Sequence, residues 1–229
     1  MTYQQREQLA LYGRRLLADH LTTGTGGNIS IALRSASRIA ITPSGISYNE
    51  IEAQDISLLD FNGRHLEGRQ PSSEWHLHLN LYHARPEINA VVHTHSRFAT
   101  TFALLHEPLP ACHYLIGIAR AKKIRIAPYA TFGTKELAQK TIAALGQENC
   151  ILMANHGLLA VGEELSQAYN TALYIEEVAE LYYRARSLGT PVLLSDKAMD
   201  EALERFRSYG QSPAKPPESS LIPERDDFI

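Results

Sequence analysis

TTGTGGNISIAL, residues 22–33, is a glycine-rich stretch that runs straight into alternating apolar residues, and its placement decides between two kinds of α/β fold. Upstream, Leu9, Tyr12 and Leu16 recur near helical spacing with Leu17 and Leu21 beside them, which predicts an amphipathic helix over 4–20 ending at the glycines. A dinucleotide fingerprint follows a strand and opens a helix; this loop follows a helix and opens a strand. The doubly wound dinucleotide-binding fold is thereby excluded.

Working outward, RIAITPSGISYNEI reads as a short strand with a Pro-Ser-Gly turn, and ISLLDFNGRHLEG as a hairpin around Asn62-Gly63. PSSEWHLHLNLYHAR is helical, with Pro71 and Ser72 at its start, Trp75, Leu79 and Tyr82 on one stripe and Pro86 as its stop. INAVVHTH is a buried strand, Ser96 to His106 a helix, and IRIAPYA a further strand. Thr134 caps a helix through Ala144, and CILMANHGLLAVG gives two apolar strands split at Asn155-His156-Gly157. A long helix covers Glu163 to Leu188 and a last one Asp196 to Tyr209. Helices alternating with strands joined by tight turns predict a single layered α/β domain over 1–210 with a mixed, largely antiparallel sheet. Residues 211–229, rich in Pro, Ser and charge, read as a mobile tail.

Composition narrows the function. Lys plus Arg number 22 against 25 Asp plus Glu, a net charge of -3, with no basic block, so nucleic acid and anionic membranes are not expected partners. The N-terminal segment carries Gln, Glu and Arg inside its apolar pattern and is neither a signal-peptide core nor a membrane span, which points to the cytoplasm. Two cysteines, Cys112 and Cys150, are too few for a cysteine zinc site and sit in apolar contexts that suit reduced core thiols.

The chemistry-bearing residues cluster in a few turns. On a strand, His93 and His95 share one face, and two neutral imidazoles at that spacing can meet one metal ion at about 2.0 Å. Such a pair also arises where each ring is satisfied by backbone carbonyls, so alone it leaves both readings open. His156, in a break between strands, is the best third ligand, and three histidines with an open fourth position are the catalytic form of a zinc site. His20, His65, His76, His78, His83, His106 and His113 read as surface or loop residues without a chemical role. Three donor-rich turns, at Thr25 and Asn28, at Ser44-Gly45 and at Ser72-Ser73, have no basic residue near them. Singly each is an ordinary turn or cap; together they suit a small phosphate held by neutral groups. Glu74, next to the last of them, is a capping carboxylate on its own and a candidate general base beside a metal.

The stretches GTGGNIS, ITPSGI, EGRQPSSEWHLHL, RPEINAVVHTH, HYLIGIA, IAPYATFGTKEL, NHGLLA and FRSYG resemble the class II aldolase/adducin family from about residue 10 to 210, and ATFGT with the late Tyr-Gly favours its aldolase branch, the cleavers of L-fuculose 1-phosphate. The resemblance implies a three-layer α/β/α domain and a homotetramer with active sites at subunit interfaces. It implies Zn2+ on His93, His95 and His156, with Mn2+ or Co2+ as alternatives, and Glu74 as a metal-proximal acid/base. Thr25, Asn28, Ser44, Gly45, Ser72 and Ser73 would hold the substrate phosphate. Tyr114, from a neighbouring subunit, would handle the aldehyde-side proton, and Phe132 and Tyr209 would shape the aldehyde pocket.

The expected reaction is cleavage of a ketose 1-phosphate, L-fuculose 1-phosphate or similar, into dihydroxyacetone phosphate and an aldehyde such as L-lactaldehyde. The alternative within the family is a metal-dependent decarboxylase of 3-oxo-tetronate 4-phosphates. An epimerase would need an aspartate in HYLIGIARAKKIRIAPYA, which has none, and an adducin-like binding module would lack the histidines.

Overall fold

The computed structural model describes residues 3–208, so Tyr209 and the 211–229 segment lie outside the described residues. Eight strands form one sheet in the order β4-β3-β2-β1-β5-β8-β7-β6. They are β1 (Asn28–Leu33), β2 (Arg38–Ile41), β3 (Ser57–Asp60), β4 (His65–Glu67), β5 (Ala90–Thr94), β6 (Ile126–Ala127), β7 (Cys150–Met153) and β8 (Gly157–Gly162). Every neighbouring pair is antiparallel except β6 with β7. The mixed, largely antiparallel sheet expected from the tight turns is the one observed.

Strand alternation sorts the apolar residues into two cores. Ile29, Val92, Leu158 and Ala160 face one side, where they pack against Leu9 and Leu16 of α1 (Tyr3–Ala18), Phe102 of α3 (Arg97–Leu105) and Ala172 and Ile175 of α5 (Leu165–Leu188). Ile39, Val91, Leu159 and Ile151 face the other, against Leu77, Leu81 and Tyr82 of α2 (Trp75–Ala84) and Leu137 and Leu145 of α4 (Lys135–Leu145). Helices therefore cover both faces, giving three layers. The last helix, α6 (Asp196–Ser208), packs on a 3-10 helix at Tyr114–Ala119, a segment for which the sequence pattern predicted no element. Among the described residues no helix is long and apolar enough to cross a membrane.

Two departures from the sequence reading have physical reasons. The strand expected over IRIAPYA shrinks to two residues at the sheet edge, because Pro128 has no N–H to continue the ladder. His78, read as a helix-surface residue, is fully buried and hydrogen-bonded between α2 and β1.

Candidate metal centre and substrate cleft

Strand β5 lies at the centre of the sheet, where Asn28 of β1 and Leu159 of β8 flank His93. The His93 side chain is completely buried, and its Nδ1 lies 2.9 Å from the Leu158 carbonyl oxygen. A carbonyl only accepts, so Nδ1 carries a proton, and Nε2 is the nitrogen turned toward the cluster. His95 follows the end of β5, with its Nε2 3.0 Å from His93 Nε2. Just beyond it the chain turns into α3, whose first amides, from Phe98 and Ala99, donate to the Glu176 carboxylate of α5 at 2.8 Å each. That carboxylate satisfies the open end of α3 and anchors the segment bearing both histidines.

His156 occupies the turn between β7 and β8, next to Asn155, which adopts the left-handed conformation that asparagine tolerates. Gly157 follows in close contact with the neighbouring strand, where a methyl group would sit 2.2 Å from the Thr94 carbonyl oxygen. Glu74 occupies the N-cap position of α2, but its carboxylate makes no capping bond, being turned instead toward Asn28 and the histidines, and its amide donates to Ser72 Oγ. Its Oε2 lies 3.2 Å from His93 Nε2 and its Oε1 3.4 Å from His156 Nε2.

One ligand atom from each of Glu74, His93, His95 and His156 lies within 4.8 Å of the others. Glu74 Oε1 is buried with no hydrogen-bond partner among the described residues, and two imidazole nitrogens stand 3.0 Å apart. Crowded lone pairs and an unpaired carboxylate oxygen are unfavourable unless a cation draws them together, so the donor set fits a divalent metal. Electrostatics agree. Burial, reinforced by the charge of His93, pushes His95 down to about 3 and His156 to about 4, which keeps both rings neutral and able to bind a metal at neutral pH. Burial would raise the Glu74 carboxyl, but His93, His156 and the Asn28 amide together outweigh it and hold the group well below the usual carboxylate range. Reciprocally, burial would lower His93, and Glu74 raises it.

Glu74, His95 and His156 of this cluster line a cleft of about 450 Å³, while His93 is buried and does not line it. The three donor-rich turns form its wall, bringing together Thr25, Asn28, Ser44, Gly45, Ser72 and Ser73. Backbone bonds lace them: Ser72 N–H donates to Thr42 O and Ser44 N–H to Gln70 O, while Thr42 Oγ1 accepts from Ile29 N–H. Tyr48 O–H donates to Gly27 O, pinning the glycine loop against β5. No Lys or Arg is among the described residues lining the cleft. Phe132 lines it, as do Tyr129 and Asn155, which lie inside the quoted IAPYATFGTKEL and NHGLLA stretches but were given no role in the sequence reading.

Tyr114 is elsewhere. It lies on the 3-10 helix, half exposed, in a groove shared with α5 and α6, where it faces Phe206 across 6.4 Å. Within one chain the structure does not bring it to the histidines. Asn28 and His78 are the other surprise: the Asn28 amide donates to Glu74 Oε2 at 2.9 Å and its oxygen meets His78 Nε2 at 2.5 Å. A lone histidine on a helix carries no signal of this in sequence.

Residues 7–183 match the model of the class II aldolase and adducin N-terminal domain. A 5-deoxy-D-ribulose 1-phosphate aldolase from Bacillus thuringiensis serovar kurstaki is 43% identical over 209 residues, covering 91% of this chain and 98% of that protein. An L-fuculose phosphate aldolase from Escherichia coli is 41% identical over 191 residues, covering 83% and 88%. Among solved structures, an L-fuculose 1-phosphate aldolase superposes with a TM-score of 0.87 at 44% identity, covering 90% of this chain and 98% of that one. With this fold, this cluster and these relatives, the chain belongs to the class II aldolase and adducin family and is an enzyme of the lyase class.

Proposed function

We propose that this protein is a zinc-dependent aldolase that cleaves a ketose 1-phosphate into dihydroxyacetone phosphate and a short aldehyde. The observation that carries the reading is the position of the Glu74, His93, His95 and His156 cluster, facing three neutral donor turns across one cleft. A sugar phosphate placed with its phosphate in the turns presents its carbonyl end to the cluster.

His93, His95 and His156 would hold the metal, which supplies a Lewis acid for the negative charge that develops on the substrate oxygens. The remaining work belongs to the chain. Ser44, Ser72, Ser73 and Thr25 grip the phosphate away from the bond that breaks, and so position the substrate. When the C3–C4 bond breaks, its electron pair stays on C3 and the C4 hydroxyl loses its proton to become the aldehyde. Glu74 delivers a proton to C3. The Tyr114 hydroxyl takes the proton from the C4 side, reaching in from a neighbouring subunit of a homotetramer, which accounts for its exposure here. Phe132, with Tyr129 and Tyr209, would cover the aldehyde. We place the enzyme in the cytoplasm.

The relatives' names offer two substrates, L-fuculose 1-phosphate and 5-deoxy-D-ribulose 1-phosphate, and both leave an aldehyde that ends in a methyl group. Phe132 and Tyr129 at the mouth suit that methyl. The test is release of dihydroxyacetone phosphate from each compound, read by a coupled NADH-consuming reaction, with and without prior chelation. Chelator-sensitive release from either one supports the reading, and the ratio of kcat/KM values ranks them. Were neither cleaved by metal-loaded enzyme, the reading would move to the sugar-acid phosphate decarboxylases of the same family.

A further inference from the structure

Behind the cleft, five buried polar side chains form a line between α2 and β1. Tyr82 OH lies 2.6 Å from Ser30 Oγ, and Ser30 Oγ lies 2.6 Å from His78 Nδ1. His78 Nε2 lies 2.5 Å from Asn28 Oδ1, and Asn28 Nδ2 lies 2.9 Å from Glu74 Oε2. Glu74, His78 and Tyr82 fall four residues apart on one face of the helix and its cap, opposite Asn28 and Ser30, two apart on one face of the strand. None of the five is more than 5% exposed.

The direction of every bond follows from the Glu74 end. An ionised carboxylate only accepts, so Asn28 must turn its NH2 toward Glu74 and its oxygen toward His78. An amide oxygen only accepts, so His78 Nε2 carries the proton and Nδ1 does not. Ser30 must therefore donate to Nδ1, and it accepts in turn from Tyr82. Were His78 absent, only the Glu74 carboxylate would hold the Asn28 amide, and the restraint on its oxygen side would be lost, loosening the donor that holds Oε2. With Oε2 held, Oε1 is left beside His156 Nε2 at 3.4 Å, with no hydrogen bond among the described residues.

We propose that His78 is a positioning residue for Glu74: it locks the Asn28 amide in the orientation that holds Oε2, and so fixes Oε1 where it can exchange a proton with substrate carbon. The inference rests on the aldolase reading. It is tested by half of that reaction, the exchange of the C3 proton of dihydroxyacetone phosphate for deuterium, followed by NMR in D2O with zinc-loaded enzyme and no aldehyde. Wild type exchanges and Glu74→Gln does not. His78→Leu should lower the maximal exchange rate tenfold or more. Bound zinc and the half-saturating concentration should stay within about twofold of wild type, because the metal histidines and the phosphate turns are untouched. His78→Gln, which keeps a donor for Asn28, should recover most of the rate.

Wild-type exchange by His78→Leu would overturn the proposal. So would equal losses in His78→Leu and His78→Gln accompanied by lost zinc and weaker saturation, the signature of a purely structural role. If His78→Leu does not fold, Ser30→Ala decides instead. It removes the donor to Nδ1 and should slow exchange in the same direction, and a wild-type rate there refutes the role. Absence of exchange in zinc-loaded wild type would fell the aldolase reading itself, before any variant is compared.

Discussion

Gly157→Ala replaces one hydrogen with a methyl group where β8 passes closest to β5, beside His95 and His156. The added carbon would lie 2.2 Å from the Thr94 carbonyl oxygen and 3.2 Å from His95 Cδ2. The first contact is with backbone, which no rotamer change can relieve. Reaching ordinary contact distance requires β5 and β8 to part locally by about 1 Å. These two strands carry His93 at one side of the displacement, with His95 and His156 immediately beyond it. Overpacking of this kind costs about 1–3 kcal/mol of stability. Metal affinity should fall further than stability does, because three nitrogens cannot all keep bonds of about 2.0 Å after a shift of that size. The assay is zinc content after dialysis against buffered free zinc, alongside the melting temperature. Expected are a zinc affinity at least tenfold weaker and a melting temperature lower by several degrees. Full zinc content at wild-type affinity would show that the strands do not set the ligand geometry, and would refute this account of the site.

Three further outcomes follow from the same site. Chelation should lower the melting temperature by about 5–10 °C, since a metal present at about a hundred times its Kd contributes roughly 2.7 kcal/mol; differential scanning calorimetry with and without chelator checks it. In the metal-free protein, His95 and His78 are pushed down to about 3 and His156 to about 4, each by burial first. The unfolded chain then binds more protons at these three sites below its ordinary histidine pKa of about 6.5, so their contribution is full above that pH and falls toward pH 4, by at most about 1.4 kcal/mol per pH unit per group, against the opposite contribution of the single raised histidine, His93. A urea midpoint no lower at pH 5 than at pH 7 would contradict this. Ser73→Ala should raise KM for the sugar phosphate roughly tenfold with little change in kcat, because a hydrogen bond to a charged group contributes about 1.5–3 kcal/mol and this one lies away from the breaking bond. Steady-state kinetics separates the two constants.

Much of the site is legible because it is built from short local segments. His93 and His95 belong to one strand end, His156 to a three-residue turn, and Ser72, Ser73 and Glu74 to one helix start. Each local pattern shows its own chemistry, and the helix-then-strand order around Gly24 and Gly27 rules out the competing fold. Asn28 reads as a turn donor for phosphate, yet one of its amide hydrogens is committed to Glu74 across 46 residues of sequence. The burial of His78 was not legible, because a helix of mixed apolar and polar residues does not reveal which polar group finds a partner on a strand 50 residues away.

The sequence by itself determined most of the helices and strands and the kinds of ligand atom, since backbone periodicity, turn chemistry and donor type are properties of adjacent residues. Tertiary structure alone decided their convergence. Antiparallel pairing of β5 with both β1 and β8 places Asn28 and Leu159 beside His93. The α2 packing against that sheet carries Glu74 to the histidines and His78 to Asn28. Tyr114 shows the reverse case: its motif is plain in the sequence, but the fold of one chain leaves it on another face, because the 3-10 helix that bears it packs with α5 and α6 and away from the cleft.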